Sequence, residues 1–112
     1  LDILLTGPIP PNPSEILSSN KFKLFINQVK ADYDYVVIDS SPILAVTDAA
    51  ILSTVSDGVI LVAAYNQTEK EELLDAKEQL DNVKANVLGV VLNGIDLKDS
   101  KYYYNYEYYG ED

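Results

Sequence analysis

Apolar residues along this chain gather into short unbroken runs, and the stretches between the runs are amphipathic. Three runs stand out: Tyr35 to Asp39 (YVVID), Gly58 to Ala64 (GVILVAA) and Val87 to Asn93 (VLGVVLN). They are rich in β-branched residues and continuous, not alternating, which is the pattern of a strand covered on both faces. Asp2 to Gly7 (DILLTG) reads as a fourth, opening strand.

Helical patterns lie between the runs. Asn12 is placed as an N-cap, with Pro13 at the first helical position and Glu15 three residues after the cap. Phe22, Phe25, Ile26 and Val29 then share one stripe at helical spacing. A short helix of one or two turns follows Thr47. A longer one is predicted from Thr68 as cap, with Glu71 as its capping-box partner and with Leu73, Ala76 or Lys77, Leu80 and Val83 facing inward. Strands that alternate with helices give an α/β fold, a parallel sheet with flanking helices and right-handed crossovers. Beyond Asn93 the periodicity stops. A polar loop is expected from Gly94 to Lys101, so residues 1–101 form one unit and residues 102–112 a flexible tyrosine-rich tail.

Composition narrows the function. The formal charge is −10, from 18 acidic residues against 8 basic ones, all of them lysine. Phosphate backbones and anionic lipid require clustered positive charge, so no nucleic acid partner is expected. Without arginine, any bidentate phosphate clamp has to come from elsewhere. Without cysteine or histidine, disulfides, thiolate metal sites and histidine-based triads are excluded. No run reaches the length of a membrane span, so direct membrane insertion is not expected. The chain has no methionine and opens inside an apolar run, which reads as a piece of a longer protein.

In an open parallel sheet, ligands bind beyond the carboxyl ends of the strands. Asp39 stands at such an end, after four apolar residues and before Ser40, Ser41 and Pro42. This is the Walker B arrangement, in which a rigid strand holds a carboxylate where it orients Mg²⁺ and its waters beside a nucleotide's phosphates. The plainer alternative is an aspartate that caps the following turn. Asp48 is a second candidate for the metal, and its plainer role is to complement the dipole of the short helix. Asn93 ends another strand. Its amide offers a donor and an acceptor to an adenine edge, or it simply forms a turn with Gly94. No Gly-Lys pair occurs anywhere, so the P-loop that cradles the β- and γ-phosphates is absent from these residues. This piece alone is therefore expected to bind ATP weakly or not at all. The last feature is a comb of phenols, with six tyrosines in the eight positions from Tyr102 to Tyr109.

Taken together, GPIPPNPSEILSS, DYDYVVIDSSPILAVTDAAILS, NVLGVVLNGIDL and the terminal tyrosines resemble the bacterial tyrosine kinases of the CpsD/CapB type, over the C-terminal half of their catalytic domain. The resemblance implies a P-loop NTPase-like fold akin to MinD and ParA, with the Walker A half lying upstream. It places the family's Walker B aspartate on Asp39 and, less closely, its adenine-side asparagine on Asn93. It also implies ATP and Mg²⁺ as cofactors and autophosphorylation of Tyr102, Tyr103, Tyr104, Tyr106, Tyr108 and Tyr109. Further implications are a role in capsular and exopolysaccharide synthesis and assembly of the full-length protein into a ring homo-oligomer. A transmembrane activator of the chain-length-determinant type would hold it at the inner face of the membrane, in the cytoplasm, and a tyrosine phosphatase would reverse the modification. Two departures stand out: Ser40-Ser41 where the family more often has Thr-Pro before the proline, and the loss of a basic residue around Ala64 and Tyr65. Two other readings use the same residues. One is a fragment of a MinD- or ParA-like ATPase. The other is a non-catalytic phosphoacceptor that recruits partners.

Overall fold

The computed structural model of the chain describes residues 1–95. Six elements follow in order: α1 (Pro13–Ser18), α2 (Asn20–Asp32), α3 (Asp48–Ser53), β1 (Val59–Ala64), α4 (Lys70–Asn82) and β2 (Val87–Asn93). The two strands pair in parallel, and α4 is the crossover between them. The whole of the expected tail, and the loop before it beyond Ile95, lie outside the described residues.

The core lies between the helices and one face of the sheet. Ile26 of α2, Leu52 of α3, Ala63 of β1, and Ala76 and Leu80 of α4 are buried, with Leu80 only 1% exposed. The stripe predicted for α2 is present in part: Ile26 is its buried centre, Phe22 and Val29 are half-buried, and Phe25 lies at the rim. On α4, Ala76 and Leu80 are buried and Leu73 is half-buried, whereas Val83 is exposed. An exposed ion pair between Lys30 and Asp57, and a 2.9 Å hydrogen bond from Asn86 Nδ2 to the Asp57 carbonyl, tie the end of α2 and the approach to β2 to the turn before β1.

The structure departs from the sequence pattern in three places. Asp2–Gly7 and Tyr35–Asp39 are not strands, because neither finds a neighbour to hydrogen-bond among the described residues. An extended segment becomes a strand only when its backbone groups are paired by another. Second, β1 is covered on one face only. Val59, Leu61 and Ala63 turn inward, while Ile60 and Val62 are 58% and 66% exposed. Third, the cap of α4 is shifted by one residue. Glu69, not Thr68, is the N-cap, and its capping box closes on Glu72 rather than Glu71. Thr68 is occupied elsewhere. Its Oγ1 accepts the Ala64 N–H at 2.9 Å, and its own N–H donates to the Ala64 carbonyl at 2.9 Å, which closes the turn after β1.

At the start of the sheet the register slips between Val59 and Ile60, leaving Leu88 as the extra residue of β2. Leu88 lies over Gly58, where a Cβ would come within 2.6 Å of the leucine side chain. Glycine there gives the leucine its seat.

The carboxyl end of the sheet as candidate site

β1 and β2 end side by side, with Ala64 opposite Asn93. The Tyr65 N–H donates to the Asn93 carbonyl at 2.8 Å, which extends the ladder by one bond. The Asn93 side chain is divided between two jobs. Its Oδ1 accepts the Gly94 N–H at 2.9 Å, and Gly94 turns with φ of +76°. That is the left-handed region where a residue with a Cβ is strained. The turn therefore takes the acceptor of the amide and leaves its NH₂ group without a partner among the described residues. Asn93 forms the expected turn and keeps a donor at the exposed end of the sheet.

Asp39 closes a segment that lacks a ladder yet keeps the period of an extended chain. Val36 and Ile38 are half-buried, whereas Tyr35 and Val37 are 88% and 91% exposed. The Asp39 carboxylate follows on the exposed side and makes no hydrogen bond or ion pair among the described residues. It does not cap the turn that follows. That turn is closed instead by the Ala45 N–H donating to the Pro42 carbonyl at 3.1 Å.

Asp48, the first residue of α3, is half-buried and already engaged. Ser14 Oγ, from α1, donates to its Oδ1 at 2.9 Å, and the same hydroxyl lies 3.4 Å from Thr47 Oγ1. Nothing in the sequence pattern pointed to Ser14, because the two partners stand 34 positions apart.

No hydrogen bond joins Asp39, Asp48 and Asn93 to one another. No group of three acidic side chains converges on a point among the described residues. What fits a hydrated Mg²⁺ is the single free carboxylate of Asp39, since such ions take one or two protein carboxylates and draw their other ligands from water and phosphate. The six candidate phosphoacceptors, Tyr102, Tyr103, Tyr104, Tyr106, Tyr108 and Tyr109, lie outside the described residues.

A helical crossover between two parallel strands, with further helices packed beside them, is an α/β arrangement, and its likeness to an AAA domain and to a solved kinase domain makes it part of a P-loop NTPase-like domain. The AAA domain family matches residues 13–90. The tyrosine-protein kinase YwqD of Bacillus subtilis is 47% identical over 110 residues, spanning 98% of this chain and 45% of that protein. The putative tyrosine-protein kinase CapB of Staphylococcus aureus is 42% identical over 113 residues, spanning 100% of this chain and 48% of the relative. Among solved structures, the kinase domain of the Escherichia coli tyrosine kinase ETK superposes with a TM-score of 0.80 at 32% identity, covering 84% of this chain and 37% of that one. The chain belongs to the AAA domain family, and over nearly its whole length it is similar to bacterial tyrosine-protein kinases. It spans about half the length of the curated relatives it matches.

Proposed function

We propose that this segment is the C-terminal part of the catalytic domain of an ATP-dependent protein-tyrosine kinase that phosphorylates its own tyrosine cluster. The observation that carries the reading is the 47% identity to a tyrosine-protein kinase across 98% of the chain, which spans Asp39 and reaches into the phenol-rich end.

The chemistry follows from the side chains. A tyrosine with a pKa of about 10 is almost wholly protonated at neutral pH and is a poor nucleophile. Rate therefore has to come from holding the phenol in line with the transferring phosphoryl group and from balancing charge. Bound Mg-ATP supplies that group, and its phosphate cradle is contributed by residues other than these 112, which contain no Gly-Lys pair. Asp39 is the carboxylate that would hold the metal ion through its waters. Asn93 keeps a free NH₂ donor that would meet the base. Six closely spaced phenols let one site find an acceptor without reading a particular sequence.

In the same reading the full-length protein assembles into a ring homo-oligomer in which one subunit's tyrosines enter its neighbour's site. A transmembrane activator of the chain-length-determinant type recruits it to the inner face of the membrane, a tyrosine phosphatase resets it, and the cycle regulates exopolysaccharide synthesis.

The test is phosphopeptide mapping of the full-length protein after incubation with Mg-ATP. Wild type is expected to acquire phosphate on the six tyrosines. Asp39→Ala is expected to lower the labelling rate by at least about 100-fold, the scale of loss when one preorganised electrostatic group is removed from a phosphoryl- or acyl-transfer site. Undiminished labelling by Asp39→Ala would overturn the role given to that carboxylate.

A further inference from the structure

The side chain of Asp48 points to a use other than holding metal. The loop from Asp39 to Asp48 has two ends. Its first end leaves the Tyr35–Ile38 segment, which has no ladder partner among the described residues. Its second end enters α3 at Asp48, and there a cross-chain anchor exists. Ser14 Oγ donates to Asp48 Oδ1 at 2.9 Å and lies 3.4 Å from Thr47 Oγ1, so α1 grips the first turn of α3. Both partners are half-buried, which shields the bond from competing water. Within the loop, the Ala45 N–H closes on the Pro42 carbonyl, and the Ile51 N–H of α3 closes on the Thr47 carbonyl at the loop's end. Pro42 fixes its own φ. One backbone hydrogen bond and one proline thus constrain the nine-residue step from the anchored Asp48 back to Asp39.

The geometry points to Ser14 and Asp48 as a pair of positioning residues that act through the loop to set where the Asp39 carboxylate stands. Asp48 serves as the acceptor of the Ser14 hydroxyl and not as a metal ligand. This inference rests on the kinase reading for its effect on rate, though not for its effect on the loop. An asparagine at position 48 keeps an Oδ1 acceptor for Ser14 but carries no charge. It would satisfy the positioning role and fail as a replacement for a metal-binding carboxylate.

The experiment uses the full-length protein carrying Ser14→Ala, Asp48→Ala, Asp48→Asn and the double alanine variant. Two readouts are taken: hydrogen–deuterium exchange of residues 39–51 without nucleotide, and tail labelling as a function of Mg²⁺ concentration. Ser14→Ala and Asp48→Ala are expected to speed exchange in that segment and to lower the labelling rate alike, by about tenfold, since small displacements far from the chemistry are felt at that scale or above. The double variant is expected to be no worse than either single one, because both remove the same bond. Asp48→Asn is expected to stay within about twofold of wild type with its Mg²⁺ half-saturation unchanged, where loss of a ligand would be felt in metal affinity by about tenfold or more.

Wild-type exchange in Ser14→Ala overturns the anchor, whatever the labelling shows. Faster exchange with undiminished labelling reduces the pair to a purely structural bond and overturns the positioning role. An Asp48→Asn variant as impaired as Asp48→Ala, with a raised Mg²⁺ half-saturation, makes Asp48 a ligand and overturns the inference. If wild type itself places no phosphate on its tyrosines, the kinase reading and the effect on rate fall together, while the exchange data still decide the anchor.

Discussion

Single residues show most clearly where a sequence stops being informative. Asp39 was legible because an acid ending an apolar run is a local signal, and the structure leaves its carboxylate exposed and free of partners among the described residues. Asn93 was legible as a turn-former beside Gly94, but the way its amide is split, Oδ1 to the turn and NH₂ to the open end, is set by the folded backbone and has no sequence signal. The Ser14–Asp48 bond had no sequence signal, since hydrogen bonds between residues so far apart depend on how the helices pack. Tyr33 is a similar case. Its phenol donates to the Asp2 carboxylate, and that bond, then its surroundings, then the negative charge of Asp32 hold its pKa above the ordinary phenol value. A raised pKa means that the folded state favours the protonated phenol. The associated stability is therefore fully present below the unfolded value of about 10 and is lost as pH rises through the higher folded value. In a titration followed by ¹³C-tyrosine NMR, Asp2→Asn is expected to bring the Tyr33 midpoint down toward the ordinary value. A midpoint unmoved by that change would show that the Asp2 bond is not the cause.

At the scale of elements, the helices were read well and the strands only in part, for one physical reason. A helix satisfies its hydrogen bonds within its own segment, so caps and a 3.6-residue period announce it. A strand depends on a neighbour, so YVVID and DILLTG kept strand-like sequences without becoming strands here. The cap error on α4 has a local cause. Thr68 and Glu69 both suit an N-cap, and the turn after β1 takes the Thr68 hydroxyl, which leaves the cap to Glu69. The far end of α4 offers a clean test. The Lys84 N–H donates to the Asp81 carbonyl at 2.9 Å and the Ala85 N–H to the Leu80 carbonyl at 2.9 Å. These are the two bonds of a Schellman cap, and they put Lys84 at φ of +56°. A residue with a Cβ is strained there, so Lys84→Gly is expected to stabilise the full-length protein by about 0.5–1 kcal/mol, the relief of left-handed strain less the entropy that glycine adds to the unfolded chain. Urea unfolding would read this as a higher midpoint at unchanged slope. A lower midpoint would mean that the lysine stem makes contacts worth more than the strain.

The whole molecule carries a conflict between pattern and exposure. Its strands are apolar on both faces, as strands in the interior of a parallel sheet are. Yet Ile60 and Val62 of β1 stand open on one face, and Leu88, Val90, Val91 and Leu92 of β2 are all exposed. An open patch of large aliphatic side chains on this scale is covered in a stable protein. The kinases that this chain resembles are about twice as long as the stretch it matches, and in the solved ETK domain the equivalent portion makes up 37% of the chain. The second face is expected to be covered in the parent protein by a layer of residues other than these 112. Val62 is the residue on which this turns. If the parent protein lays such a layer over β1, a lysine at position 62 loses the roughly 1.5–3 kcal/mol of a fully buried valine and buries a charge besides. In the 112-residue chain alone the same lysine remains in water and breaks up the patch. Val62→Lys is thus expected to lower the melting temperature of the full-length protein while raising the soluble yield of the isolated chain. A full-length protein that melts at the wild-type temperature with lysine at position 62 would show that this face is open in the parent as well, and that the two-sided apolar pattern of β1 answers to something other than a covering layer.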